Sequence, residues 1–357
     1  MILSQLSLQN FRSYSRTKFS FDKNTTVIVG PNTAGKSNLM EAIFLLSSGK
    51  SFRAERKEMM IKFGQEMARV KGKIANGDRE TADDEQQLEV MFTIGQVQAI
   101  KTPLTRYLVN GVPKRRVDFA GILPAVLFAP SDLEIIIDGP SLRRGFLNDV
   151  LEQVSLEYRQ AILQYEKGLR QRNALLEMMR ETGKRSDGQL AYWSELLIRY
   201  GQIIAKEREA FLQFVNEQKK SLFQFRVEYD RSEISPKRLA QYSREEVAAA
   251  STLVGPHRDD FRVHMDNKEE SDIRFFGSRG QQRLAILQLK LLQIDYITKI
   301  KGERPLLLLD DIFSELDEEH IQHVLGIVDK QQTILTTTHE EFIEKTDFND
   351  KSTIKLD

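Results

Sequence analysis

VIVGPNTAGKSNLMEAIFLL, running from Val27 to Leu46, is the stretch whose reading decides the fold. Val27-Ile28-Val29 is an apolar strand. Gly30-Pro31-Asn32-Thr33-Ala34-Gly35-Lys36-Ser37 fits the phosphate loop G-x-x-x-x-G-K-[ST], and Ser37 to Leu46 reads as the helix that such a loop opens. The loop amides and the helix N-terminus make a positive concavity for phosphate. Lys36 brings a point charge to the terminal phosphates, and Ser37 and Asn38 continue the loop into the helix. The Ser37 hydroxyl is a ligand for Mg²⁺.

Working outward, the next chemical stretch is Pro305-Leu306-Leu307-Leu308-Leu309-Asp310-Asp311. A continuous apolar run is the pattern of a central parallel strand. Two carboxylates at its end are costly to bury unless a cation meets them. Asp310 is the candidate Mg²⁺ ligand, and Asp311 the group that orients or deprotonates an attacking water. Roughly 270 residues separate Lys36 from Asp310. Small GTPases and simple kinases close that gap far sooner, so the spacing points to a split ATPase head.

The intervening chain supports this. Residues 1–30 read as two strands, and residues 66–130 as a strand-rich region, with Ala75-Asn76-Gly77-Asp78 a hairpin signal and the acidic run from Thr81 to Glu85 a loop tip. From residue 139 the character changes. Ser141 is placed to cap a helix. Leu151, Val154, Tyr158, Ile162, Tyr165 and Leu169 then recur on one helical face. A polar break over Glu181–Gly188 precedes a second amphipathic run ending near Phe225, so an antiparallel helical hairpin is expected, with Trp193 in its core. Residues 251–264 return to strand-like sequence, Gly280–Ile300 and Glu318–Ile327 read as helices, and TILTTTH as a strand. The expected division is one discontinuous lobe, 1–138 with 250–357, and a helical lobe, 139–249.

Composition sets the outer bounds. The chain has 357 residues, 40% of them apolar and 29% charged, which is a globular balance. No apolar run approaches the ~20 residues of a membrane span, and the N-terminus lacks the pattern of a signal peptide. There is no cysteine, which removes disulfides and thiolate metal sites and fits a reducing cytoplasm. The net charge is zero but unevenly spread. Lys50–Lys73 carries eight basic and three acidic residues, Lys114-Arg115-Arg116 and Arg143-Arg144 add basic clusters, and Lys301 to the end carries six basic and fourteen acidic. A polarised molecule can offer a positive face to an anion while neutral as a whole.

Three more motifs follow the same order. Ser278-Arg279-Gly280-Gln281 resembles the S-x-G-Q signature of ABC-type ATPases, with a helix N-cap as the plainer reading. Ser314-Glu315-Leu316-Asp317 looks like a D-loop, and His339 after Thr336-Thr337-Thr338 matches a switch histidine. Five ordered motifs therefore resemble the ABC-type head shared with SMC proteins.

Finer segments are similar to the RecF family, nearly end to end. These are LSLQNFRSY, Lys50-Ser51-Phe52-Arg53, Phe128-Ala129-Pro130-Ser131-Asp132-Leu133, Pro140-Ser141-Leu142-Arg143-Arg144-Gly145-Phe146-Leu147 and Thr252-Leu253-Val254-Gly255-Pro256-His257-Arg258-Asp259-Asp260. The resemblance implies an α/β ABC-type head with a P-loop core sheet, an antiparallel β subdomain and a helical second lobe. It implies a cytoplasmic, nucleoid-associated weak ATPase of recombinational repair using ATP and Mg²⁺. Such a protein binds double-stranded DNA at gaps as an ATP-dependent homodimer and helps load RecA with RecR and RecO. ATP would lie between Gly30–Asn38 of one copy and Ser278, Gly280, Gln281 and Asp317 of the other, with Arg12, Lys36 and His339 at its phosphates. Arg53, Arg56, Lys57, Lys114, Arg115 and Arg116 are the DNA-contact candidates. The alternatives are a nucleotide-gated scaffold without significant hydrolysis and an ATPase subunit coupled to another partner, such as a transporter.

Two departures stand out. The family usually has glycine where Thr33 stands, so its backbone is either ordinary or strained. The second carboxylate is Asp311, where most ABC ATPases have glutamate. No clear Q-loop glutamine is found; the turn at Pro130-Ser131-Asp132 takes roughly its place.

Overall fold

The computed structural model describes residues 1–75, 85–184, 186–265, 271–312, 326, 328–338 and 351–356. The chain divides into two compact units, Met1–Asp132 with Gln293–Asp357, and Leu133–Leu292.

The first unit opens with β1 (Ile2–Phe11), β2 (Tyr14–Ser20) and β3 (Thr25–Val29), one strand more than the sequence reading, because the polar segment YSRTKFS pairs along β1. Helix α1 (Lys36–Ser48) follows the phosphate loop. Then come β4 (Met67–Ala75), β5 (Gln86–Thr93), the two-residue ribbon β6 (Gln96–Val97) and β7 (Ile100–Lys101), β8 (Thr105–Val109), β9 (Val112–Lys114), the turn-long α2 (Arg116–Phe119) and β10 (Ala125–Phe128). After the second unit the chain returns with β13 (Leu306–Asp310), β14 (Thr333–Thr337) and β15 (Lys351–Lys355).

Two sheets result. One is antiparallel, in the order β2-β1-β4-β5-β8-β9, and the other is parallel, in the order β10-β13-β14-β3-β15. In the parallel sheet β3, β10, β13 and β14 are buried along their whole length, the expected state of strands covered on both faces. Helix α1 packs against strands of both sheets, and every residue from Leu39 to Ser48 is buried. A helix apolar nearly all round belongs in such a place. Its approach to β4 is close: a Cβ on Gly72 would lie 2.5 Å from a Leu46 methyl.

The second unit is mainly helical. It begins with α3 (Glu134–Ile137), α4 (Pro140–Val154), α5 (Leu156–Thr182) and α6 (Asp187–Glu217). Gly139 caps α4 and Pro140 is its first residue, so Ser141 is not the cap; proline suits that position because its missing N–H is not needed there. The single helix expected through Leu151–Leu169 is two. Ser155 takes an extended conformation, and its hydroxyl accepts from the Tyr158 amide at 3.1 Å to start α5. Helices α5 and α6 do pack antiparallel: Arg172 bonds Ser194, while a Cβ at Gly168 would meet Leu196 and one at Gly201 would meet Tyr165. Trp193 is not core. It is half-buried, edge-to-face against exposed Tyr192.

The unit continues through β11 (Phe225–Asp230), α7 (Pro236–Gln241), α8 (Ser243–Ala249), β12 (Asp260–Met265), α9 (Ile273–Phe276) and most of α10 (Arg279–Lys301). Residues 250–292 belong with the helices rather than with the first lobe, because β12 pairs with β11 and Asp259 and Asp260 bind arginines of α6 and α4. Only Asp260–Met265 of the strand-like 251–264 is a strand. The turn residues Asn76–Asp78, the acidic run 81–84, and most of the expected helix 318–327 lie outside the described residues.

Candidate nucleotide-binding site

Strand β3 ends at Val29, and the chain turns through Gly30–Gly35 into α1. Gly35 caps the helix at φ 98°, and a Cβ there would lie 2.9 Å from the Tyr14 hydroxyl. That hydroxyl donates to the Gly35 carbonyl at 3.1 Å, and burial pushes its pKa up to about 12, so it stays a donor. Thr33 sits at φ 78°, in the left-handed region. The loop is therefore strained at this position: a β-branched residue there costs about 1–2 kcal/mol.

The charged groups converge on the loop. Lys36 is buried, and its Nζ donates to the carbonyls of Gly30 at 2.7 Å and Pro31 at 2.9 Å. By helix geometry the amides of Lys36, Ser37 and Asn38 have no acceptor within α1. Ser37 Oγ donates to Asp310 Oδ1 at 3.2 Å across the β3 and β13 strand ends. The same Oδ1 accepts from Thr336 Oγ1 at 2.8 Å, and Thr336 Oγ1 accepts the Asp311 amide at 3.0 Å. Asp311 turns out of the strand at φ 54°.

Thr336 thus binds the Asp310 carboxylate and the backbone of Asp311. The sequence offered only its place before His339; the pairing of Thr336 with Asp310 is a sheet-register fact. A hydroxyl and a carboxylate are hard oxygen donors. Among the described residues no group of three or more His, Asp or Glu gathers to hold a metal by itself. That set suits Mg²⁺ carrying waters and phosphate oxygens rather than an all-protein cage.

Arg12 is placed differently from the expectation that it reaches phosphate. Its Nε and Nη2 donate to the two oxygens of Glu41, each at 2.7 Å, and Nη1 to the Met59 carbonyl at 2.9 Å. Glu41 is fully buried on α1 and also accepts from Ser51 Oγ. A buried carboxylate without a counter-charge is heavily penalised, and Arg12 supplies it. Asn38 donates to Ser13 Oγ at 3.0 Å and accepts from Arg53 at 3.3 Å.

The basic candidates separate into two groups. Arg53, Arg56, Lys57 and Lys114 are exposed. Arg115 is paired with Asp118 at 2.8 Å, and Arg116 donates to the Ser48 carbonyl at 3.3 Å. Asp132 is turned inward, its Oδ2 accepting the Ala129 amide at 2.8 Å.

Ser278, Gly280 and Gln281 lie in the second unit. Ser278 Oγ accepts the Gln281 amide at 3.2 Å, and Gln281 Oε1 accepts the Ser278 amide at 2.8 Å. This reciprocal pair is a capping box at the start of α10. Ser278, Arg279 and Gly280 are exposed, as are Phe275 and Phe276 just before them. Asp317 and His339 lie outside the described residues.

The Gly255–Asp260 motif is a buried polar knot. Asp259 is fully buried and accepts from Arg208 at 3.0 Å, from the Ser232 amide at 2.8 Å, and from the Tyr229 hydroxyl. Arg143 meets both oxygens of Asp260, at 2.6 and 3.0 Å. His257 Nε2 donates to the Thr252 carbonyl at 2.9 Å, leaving Nδ1 to accept from Tyr165 Oη at 2.7 Å. Burial lowers the His257 pKa to about 4, with Arg258 and Arg144 adding to the fall.

A phosphate loop joined by Ser37 to an aspartate at the end of another strand of the same parallel sheet, in a unit that also holds an antiparallel sheet, is the arrangement of an ABC-type head. The family described as RecF/RecN/SMC N terminal domain matches residues 2–355. The chain is 32% identical to the DNA replication and repair protein RecF of Bacillus cereus (strain G9842), with 100% of this chain and 97% of that protein covered. The chain belongs to the RecF family. The RecF of Lachnoclostridium phytofermentans is 34% identical, with 96% and 94% covered. Among solved structures, one of the recombination mediator protein RecF-ATP in the RecFOR pathway superposes with a TM-score of 0.87 at 30% identity, covering 99% of this chain and 95% of that one. An Smc head domain derived from Pyrococcus furiosus, at 18% identity and a TM-score of 0.53, shares the fold. The chain thus has the fold of an SMC head.

Proposed function

We propose that this chain is an ATP-dependent DNA-binding protein of recombinational repair. The observation that carries the reading is the Ser37–Asp310 contact at 3.2 Å, which joins the phosphate loop to the acidic strand end. The loop amides and Lys36 bind the phosphates of ATP. Ser37 and Asp310 would hold Mg²⁺, which would supply positive charge to offset that of the phosphates. Asp311, whose backbone N–H donates to Thr336 Oγ1, orients the attacking water for a slow hydrolysis. Arg12, held by Glu41 at 2.7 Å, is the further candidate for the phosphates.

The second half of the site comes from a second copy. The α10 N-terminus, with Ser278 capping it and Gly280 leaving the backbone accessible, is a second anion-binding end. Two copies closing on ATP bring each Ser278 to the partner's γ-phosphate and form a composite basic surface for duplex DNA at gaps. The D-loop and switch motifs of the sequence make Asp317 and His339 further candidates for contact with the nucleotide. The relatives named for DNA replication and repair, and the recombination mediator of the RecFOR pathway, support RecO and RecR as partners; RecA as a further partner and a cytoplasmic setting belong to the same proposal.

Molecular mass measured in solution with ATP, with ADP and without nucleotide tests the closure. The chain dimerises with ATP alone, and Ser278→Arg prevents this while leaving ATP binding to the monomer intact. A mass indifferent to nucleotide contradicts the reading.

A further inference from the structure

The outer face of the antiparallel sheet carries cations that no motif predicts. Ser7 of β1 stands opposite Lys18 on β2 and Lys71 on β4, and Gln9 stands opposite Arg16 and Arg69. Directly paired residues share a face of the sheet. Arg16, Lys18, Arg69 and Lys71 therefore form two rows, two residues apart along the strands, or about 7 Å. They line a groove of about 330 Å³ with Ser7, Gln9 and Thr17. Arg69 is neutralised in part by Glu89 at 3.0 Å. Glu89 also stands opposite Lys71 in the β4–β5 pair, with its carboxylate held by Arg69, while Arg16 and Lys18 are exposed.

Each of these cations faces Ser7 or Gln9 of β1, so the grid gathers positive charge on one face around neutral polar side chains. Its chemistry also selects the ligand. The groove offers ammonium, guanidinium, hydroxyl and amide donors, and its one apolar residue, Leu8, is buried. Protein partners are held by apolar or aromatic anchors at the centre of the contact. Phosphate backbones are held by Lys, Arg, Ser, Thr and Gln without such anchors. We propose that this face is a binding platform for a nucleic-acid phosphate backbone, with Arg16, Lys18 and Lys71 as its phosphate contacts. The inference rests on the proposed DNA binding and adds to it a surface separate from the loops of Arg53–Lys57.

The test is the salt dependence of binding to a mixed-sequence DNA duplex, with ATP present. Each lost phosphate contact lowers the slope of log K against log salt by about 0.9. The full-length triple variant Arg16→Ala, Lys18→Ala, Lys71→Ala is expected to lose about 2.7 from the slope, with ATP affinity and thermal midpoint held as controls of the fold. Duplex binding by the parent chain with an unchanged slope in the variant overturns the platform alone. A parent chain that binds no duplex overturns both the platform and the reading it rests on. Equal displacement of the parent chain by polyglutamate and by duplex at matched charge overturns the assignment to nucleic acid.

Discussion

The phosphate loop and the Gly255–Asp260 knot are both built from charged residues, and they use charge in opposite ways. In the knot, Asp259 is closed off by Arg208, Tyr229 and Ser232, and His257 by Tyr165 and Thr252. Around the loop, Lys36 leans on two carbonyls of its own turn, and Ser37 and Asp310 meet at a longer 3.2 Å. A satisfied buried network rigidifies the chain that makes it. A set of donors facing one concavity is suited to hold something else. The two stretches thus divide the work, one holding the helical unit together and the other suited to bind ligand.

The largest effect that could break this contrast is on stability. Asp259→Ala leaves Arg208 buried without its partner and is expected to cost about 3–5 kcal/mol in chemical denaturation. A loss below about 1 kcal/mol would remove the knot from its structural role. Lys36→Met is expected to do the reverse, lowering ATP affinity about 10- to 100-fold, as befits a lost charge-assisted contact, while the denaturation midpoint stays put. Isothermal titration with ATP and Mg²⁺ measures it.

The knot also sets an acid limit. The folded His257 pKa, about 4, lies below the unfolded value of about 6.5, so the unfolded chain binds the extra proton between them. Stability is full above about pH 6.5 and falls as pH drops toward 4, by at most about 3 kcal/mol from this group. His257→Gln is expected to flatten that part of the stability-versus-pH curve; an unaltered curve would move the acid sensitivity elsewhere. The smallest effect sharpens the loop side. Thr33→Gly relieves a left-handed threonine but frees the unfolded chain, for a net gain of up to about 1 kcal/mol. Destabilisation would mean that the threonine side chain earns its place by a contact.

The sequence carried the parts of the site that are local. Lys36, Ser37, Asp310 and the buried strand that delivers Asp310 were all readable, because a loop motif and an apolar run are local patterns. What was not readable depends on pairing across the chain. Thr336 acquires its role from lying beside Asp310 in the sheet, and the Glu41 that Arg12 binds lies 29 positions away. Strand β2 was hidden because it is polar and only its pairing with β1 makes it a strand; the cation grid was hidden with it. The break at Ser155 was masked by apolar spacing that continues in phase across it. Ser278 read as either a signature or a cap, and its bonds with Gln281 make it a cap, with its trans role left to the proposed dimer.

The most direct measurement is retention of a gapped DNA duplex by the parent chain and by Lys36→Met, with ATP, with ADP and without nucleotide. The account predicts tight, salt-sensitive retention by the parent chain with ATP only, and none above background for Lys36→Met in any condition. Equal retention by both proteins, or retention by the parent chain that ignores the nucleotide, would contradict it.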